Sequence, residues 1–92
     1  MADCETVEVC VKGRVQGVGF RASALRHAHL YGVKGWVSNA GDGSVELLLQ
    51  GSADAIDSMV SWLYIGPEQA VVEHVDIQRS YTDKRYDFFE IR

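Results

Sequence analysis

The chain has 92 residues and a net charge of −4, and 47% of its residues are hydrophobic. This size and composition predict a single small globular domain over residues 1–92, with one compact core. The acidic balance argues against a broad surface for nucleic acid or anionic membranes, and no apolar run has the length of a membrane span or the pattern of a secretory signal.

The first predicted strand covers residues 7–12, where apolar and polar side chains alternate. It contains Cys10, and Cys4 lies just before it. On one extended segment the Cα atoms of these two cysteines would be about 20 Å apart, which is too far for a disulfide. Free thiols and the lack of a signal sequence lead us to expect a cytoplasmic protein, and at this size we expect a monomer.

A glycine-rich loop follows, with the sequence Gly-Arg-Val-Gln-Gly-Val-Gly-Phe-Arg from Gly13 to Arg21. Residues 22–31 then have helix-forming composition and stop at Gly32, a typical residue just beyond a helix C-terminus. Glycines allow a backbone to direct several N–H groups into one concavity, and a helix N-terminus adds further unpaired N–H groups. A cation in a first helical turn is unfavourable unless an anion accompanies it. The loop with Arg21 therefore predicts a phosphate site.

The middle of the chain predicts a β-hairpin. Residues 33–39 form a plausible strand, and the Asp-Gly pair within residues 40–43 favours a tight turn. Residues 44–50 form the third predicted strand, whose alternation places Leu47 and its neighbours two positions away on a buried face. Leu48 is the exception, since it is an apolar residue on the face expected to be exposed.

The second half predicts a helix and two more strands. Ser52 is the expected N-cap of the helix, which carries the strongest apolar stripe of the chain and ends before Gly66. Residues 71–79 and residues 86–91 follow as strands. The order β-α-β-β-α-β predicts an α+β sandwich of ferredoxin-like topology, with two helices on one face of an antiparallel sheet and the first and third strands at its centre.

Three other glycine or fold motifs are excluded. The GxGxx[GA] pattern from Gly17 to Ala22 lacks the repeated βαβ units of a dinucleotide fold and an acid at the end of the second strand. No Lys-Ser or Lys-Thr follows the glycines, as a Walker nucleotide loop requires. RNA-recognition domains of this topology stack bases on aromatic residues of the central strands, and the first and third strands have none.

The loop sequence from Gly13 to Arg21 resembles the signature of the acylphosphatases. Gly-Trp-Val-Ser-Asn at residues 35–39, Asp-Gly-Ser-Val-Glu at 42–46 and Phe-Glu-Ile at 89–91 also stand where this family has them. The resemblance covers essentially the whole chain. It implies a ferredoxin-like fold and hydrolysis of acyl phosphates without a metal or another cofactor. By motif position it implies two catalytic residues, Arg21 and Asn39. Relatives often carry a basic residue where this chain has Ser38.

Arg21, Asn39 and the loop have the groups that hydrolysis of an acyl phosphate requires. Its leaving group is the conjugate base of an acid with a pKa of about 4 and needs little protonation. The enzyme must therefore hold the phosphoryl oxygens, neutralise their charge and direct a water molecule in line. We expect Arg21 to neutralise the charge and Asn39 to hold the water, with inorganic phosphate as product and inhibitor. The alternative is a binding module that holds phosphate without turnover. The backbone N–H groups expected to bind the phosphoryl oxygens are those of Gln16, Gly17, Val18, Gly19 and Phe20.

Overall fold

A computed structural model describes residues 4–92. These residues form five strands and two helices, in the order that the sequence predicts. The elements are β1 (Glu5–Arg14), α1 (Phe20–Tyr31), β2 (Lys34–Asn39), β3 (Val45–Gly51), α2 (Ala53–Leu63), β4 (Val71–Arg79) and β5 (Phe89–Ile91).

The strands form one sheet in the order β4-β1-β3-β2-β5. The first and third strands therefore lie at its centre, as predicted, and β1 through β4 pair antiparallel to one another. The prediction of a wholly antiparallel sheet is wrong at β5, which pairs in parallel with β2. After β4 the chain reverses direction and crosses to the far edge of the sheet. It thus runs opposite to β4, as β2 also does, so the two strands are parallel.

Single residues of the sequence explain where α1 ends and where α2 begins. In α1 the chain turns out of the helix at Gly32, whose φ of 76° is left-handed, and the Gly32 N–H donates to the Ala28 carbonyl. In α2 the Ser52 side chain accepts a hydrogen bond from the Ala55 N–H, which confirms the predicted N-cap. The first helix begins at Phe20, two residues earlier than predicted. The residues 4–92 contain no helix long and apolar enough to cross a membrane.

The hydrophobic core lies between the helices and one face of the sheet. The alternate residues Val7, Val9 and Val11 of β1 are buried there, together with Val45, Leu47 and Leu49 of β3. The helices contribute their apolar stripes to the same cluster, so both cover one face of the sheet. The helical residues of the core are Phe20, Ala24, Ala28, Ile56, Met59 and Leu63.

The opposite face of the sheet is more covered than the sequence predicts. The segment over residues 80–88, which we name the return segment, crosses this face from β4 to β5. Gln50 is only 2% exposed because its side chain donates to the Lys84 carbonyl and accepts from the Tyr86 N–H, both at 2.9 Å. Leu48 is likewise buried. The last strand, β5, is shorter than the predicted 86–91 because Tyr86 belongs to the return segment, where its N–H donates to Gln50.

The first strand is longer than predicted and includes Gly13. Beyond Lys12 its register with β4 shifts, and Gly13 has a φ of 129°. A Cβ atom at Gly13 would lie 2.2 Å from the Val71 carbonyl oxygen, so this glycine allows β1 and β4 to approach. Gly13 therefore belongs to the sheet and not to the loop. The cysteines Cys4 and Cys10 are both free thiols, as expected.

Candidate active site

The loop between β1 and α1 covers residues 15–19. It is anchored by Val15, which is 1% exposed, whereas Gly17 and Gly19 face solvent. Both glycines have left-handed backbones, with φ values of 73° and 77°. A Cβ atom at either position would have no other atom within 4 Å, so backbone conformation and not crowding favours glycine here. Among the hydrogen bonds within residues 4–92, none uses the backbone N–H groups of residues 16–20 as donors.

The N-terminus of α1 opens directly onto this loop. Gly19 is its N-cap and provides no side chain to accept from the first N–H groups. The first helical turn contains no acidic residue, and Arg21 stands there instead. A helix N-terminus carries a partial positive charge, which the arginine increases. This end of the helix therefore combines unpaired donors with a cation, the arrangement that binds an anion.

Arg21 and Asn39 come together at one cavity. Arg21 is half-buried, and its Nη1 atom lies 3.4 Å from the Arg92 carbonyl oxygen, a long hydrogen bond. Asn39 ends β2 with an exposed side chain. The cavity has a volume of about 250 Å³ and is lined by Val15, Gly17, Gly19, Phe20, Arg21, Ala22, Asn39 and Ile91.

A larger groove lies on the opposite face of the sheet but has the wrong charge for this chemistry. Its volume is about 490 Å³, and its lining includes the carboxylates Glu8, Glu46 and Asp76. Three like charges around one groove repel an anionic ligand. The smaller cavity with Arg21 is therefore the candidate site. Across residues 4–92, no three His, Cys, Asp or Glu side chains form a group that could hold a metal ion.

The turn after Asn39 is held by hydrogen bonds of two kinds. Within the turn, Asp42 Oδ1 accepts from the Ser44 hydroxyl at 2.6 Å and from the Ser44 N–H at 3.0 Å. These bonds, the hydroxyl first, hold the pKa of Asp42 below its ordinary value. From outside the turn, the side-chain Nε2 of Gln16 donates to the Ala40 carbonyl at 2.8 Å and to the Ser44 carbonyl at 2.9 Å.

The predicted site residues thus divide into two groups. Gly17, Gly19, Phe20, Arg21 and Asn39 all line the cavity. The other two members of the predicted loop direct their side chains elsewhere. Val18 packs against the hydrophobic core, and Gln16 contacts the turn after Asn39. The side-chain role of Gln16 is missing from the sequence-based prediction, which considers only its backbone N–H.

The family model for acylphosphatases matches residues 7–91 of the chain. The chain belongs to the acylphosphatase family. An acylphosphatase from Bordetella parapertussis is 52% identical over 88 residues, covering 96% of this chain and 94% of its own length. One from Paraburkholderia xenovorans is 55% identical over 86 residues, covering 94% and 89% respectively. The solved structure of an acylphosphatase from Coxiella burnetii superposes with a TM-score of 0.93 at 37% identity, covering 98% of this chain and 94% of that one.

The chain is thus an enzyme that hydrolyses acyl phosphates, and the resemblance drawn from the loop signature is confirmed. The ferredoxin-like α+β fold is confirmed as well, since the acylphosphatase structures superpose over almost the whole chain. Its substrate is an acyl phosphate, a small anionic molecule. The cavity with Arg21 has the charge that such a substrate requires.

Proposed function

We propose that Arg21 and Asn39 are the catalytic residues of this acylphosphatase, and that the loop before α1 binds the phosphoryl group. The observation that carries the proposal is the cavity itself. It brings Arg21, Asn39 and the two left-handed glycines, Gly17 and Gly19, to one place. The loop also has backbone N–H groups that no other part of residues 4–92 uses.

The phosphoryl group is held by the loop and by Arg21. The N–H groups of residues 16–20 donate to its oxygens, and the helix N-terminus adds a favourable dipole. The guanidinium of Arg21 grips two oxygens with parallel N–H bonds, which orients the group as well as neutralising it. In the transition state negative charge spreads over the same oxygens. Arg21 therefore stabilises the transition state more than the bound substrate.

Asn39 positions the attacking water. Its side-chain amide offers an oxygen that accepts a hydrogen bond from water and an NH₂ group that donates one. An amide is too weak a base to remove the proton, so the role is orientation. The water oxygen forms a bond to phosphorus opposite the acyl oxygen, and the bond from phosphorus to the acyl oxygen breaks. The carboxylate leaves, and the water proton passes to a phosphoryl oxygen.

No metal ion or cofactor is needed in this sequence of steps. The leaving group is a carboxylate, which departs without Lewis-acid help because its conjugate acid has a pKa of about 4. The charge that a metal would neutralise is met by Arg21 and the loop. Inorganic phosphate, the product, fits the same donors and is expected to inhibit competitively. We further propose that residues 1–92 act as a single domain, a monomer and a cytoplasmic enzyme.

The test measures hydrolysis of benzoyl phosphate in the presence of a chelator, with inorganic phosphate as inhibitor. The wild-type protein should turn over at an unchanged rate with chelator. Asn39→Ala should lower kcat by roughly 10²-fold or more, the scale of lost water orientation, while the Ki of phosphate stays within about twofold. Ser38→Ala is the matched control, because it changes the adjacent side chain, and it should keep kcat.

Two results would contradict the proposal. An Asn39→Ala variant with full kcat would remove the role given to the water-positioning amide. A rate that falls on adding chelator and returns with a divalent cation would remove the metal-free mechanism. Sedimentation or light scattering checks the monomer separately, since a dimer would leave the roles of Arg21 and Asn39 unchanged.

A further inference from the structure

The side chain of Gln16 joins the two halves of the site. Its Nε2 atom donates to the carbonyls of Ala40 and Ser44, at 2.8 and 2.9 Å, across 24 and 28 positions of sequence. Gln16 is half-buried, so these bonds are partly shielded from water. An amide NH₂ has two N–H groups, and both are used here. No other side chain of loop residues 15–19 makes a hydrogen bond to the turn after β2 within residues 4–92.

The two carbonyls that Gln16 contacts form the base of the turn after Asn39. The Ala40 N–H donates to the Ser44 carbonyl at 2.8 Å, and the Gly43 N–H donates to the Ala40 carbonyl at 3.2 Å. A carbonyl oxygen has two lone pairs. Each of these two oxygens therefore accepts two hydrogen bonds, one from a backbone N–H of the turn and one from the Gln16 side chain. The turn is held both by its own backbone and by the loop. Asn39 immediately precedes Ala40 in the chain, so the position of the turn determines the position of Asn39.

We propose that Gln16 is a positioning residue that sets Asn39 at its working distance from the phosphate loop. The inference rests on the role proposed for Asn39 above. The backbone of Gln16 belongs to the loop that holds the phosphoryl group, and its side chain holds the segment that carries the water-binding amide. A single residue therefore fixes the spacing between the phosphorus atom and the water that attacks it. In-line attack depends steeply on this spacing.

A merely structural role would have other consequences. If Gln16 only stiffened the loop, its loss would weaken phosphate binding and kcat together. If it only contributed stability, its loss would lower the melting temperature and leave both kinetic quantities unchanged. A positioning role predicts a loss confined to kcat, because the backbone N–H groups and Arg21 still bind the phosphoryl group.

The experiment uses Gln16→Met, which keeps the length of the side chain and removes both donors. Its kcat on benzoyl phosphate should fall by about 10- to 100-fold, the effect of misplacing a reacting group by roughly 1 Å. The Ki of inorganic phosphate should stay within about twofold. Gln16→Asn keeps the amide but is one methylene too short, so it should also lose kcat. This second variant carries the test should Gln16→Met fail to fold.

Gln50→Met is the matched control. Gln50 also joins distant segments, since its Nε2 atom donates to Thr6 Oγ1 and to the Lys84 carbonyl, both at 2.9 Å. It lies at the other end of β3 from the turn after Asn39. Gln50→Met should lower the melting temperature by about 10 °C, because it leaves buried polar groups unpaired, and it should keep kcat.

The outcomes separate this inference from the proposed function. A Gln16→Met enzyme with wild-type kcat, or one whose phosphate affinity falls as much as kcat, overturns the positioning role. If Gln16→Met gives such a result while Asn39→Ala loses activity in the same assay, only the role of Gln16 is wrong and the proposed function stands. If Asn39→Ala is fully active, the role of Asn39 fails first and the inference fails with it.

Discussion

The two helices of this enzyme begin in opposite ways. The N-terminus of α2 is satisfied by its own sequence: Ser52 accepts from the Ala55 N–H at 3.1 Å, and Asp54 lies in the first turn. The N-terminus of α1 has a glycine as N-cap, no side-chain cap and no acid in the first turn. Where α2 has an anion of its own, α1 has Arg21.

The end of α2 is stabilised by its own side chains, whereas the end of α1 is the one proposed to bind a ligand. Capping and a first-turn acid each stabilise a helix by roughly 0.5–1 kcal/mol, and α1 forgoes both. An incoming phosphoryl group would supply the missing acceptor and the missing negative charge. If the phosphoryl group binds there as proposed, the uncapped end of α1 links substrate binding to folding stability.

Removing Arg21 should have the largest effect on the enzyme. Arg21→Ala should lower kcat/KM by roughly 10³-fold or more, the scale of removing an arginine that neutralises a transferring phosphoryl group. It should also weaken the binding of inorganic phosphate. The melting temperature should change little, because the contact of Arg21 with the Arg92 carbonyl is long, at 3.4 Å. Steady-state kinetics and thermal unfolding measure both quantities.

The control for this variant is Arg26→Ala, which makes the same change five residues further along α1. Arg26 is exposed, and its Nη2 atom donates to Ser23 Oγ at 2.9 Å. Its loss should leave kcat/KM within about twofold of wild type. Equal losses in the two variants would mean that the overall charge of the helix matters and that the position of Arg21 does not.

A second prediction concerns stability with phosphate present. A ligand that binds only the folded state adds about 2.7 kcal/mol at a concentration 100 times its Kd. Inorganic phosphate should therefore raise the melting temperature of the wild-type protein by roughly 10–20 °C at that concentration. Arg21→Ala should lose most of the increase at the same phosphate concentration. An equal increase in both proteins would place the binding away from the N-terminus of α1.

The smallest predicted effect is at the other helix. Ser52→Ala removes the cap of α2 and should lower the free energy of unfolding by about 1 kcal/mol. The loss should be the same with and without phosphate, and kcat should not change. Urea denaturation at several phosphate concentrations measures this. A phosphate-dependent loss in Ser52→Ala would mean that the two helix ends are not functionally distinct.

Sequence patterns predict the helices and the inner strands well because each has a local cause. The alternation in β1, the cap at Ser52 and the left-handed residue at Gly32 are all readable from a few neighbouring residues. The glycine loop and its arginine are equally local, so the candidate site could be predicted together with its chemistry. The pairing of Arg21 with Asn39 came from the family resemblance, and the shared cavity agrees with it.

What the sequence did not predict depends on contacts between distant residues. Gly13 stands among loop residues in the sequence, and only the approach of Val71 shows that it belongs to the sheet. The burial of Gln50 depends on the return segment, which carries no regular pattern. The same is true of Gln16, whose partners lie 24 and 28 positions away. A glutamine in a polar loop has no periodicity that would indicate such a role.

In the proposed function, the loop and the first turn of α1 bind the phosphoryl group. The most direct measurement is a titration of the ¹⁵N-labelled protein with inorganic phosphate, followed by amide chemical shifts. The largest shifts should fall on the N–H groups of residues 16–20 and on the Arg21 side chain, and Arg21→Ala should weaken the binding. If the largest shifts instead fall at the separate cavity lined by Lys12, Gly13 and Ser44, and the N–H groups of residues 16–20 do not shift, phosphate does not bind at the loop.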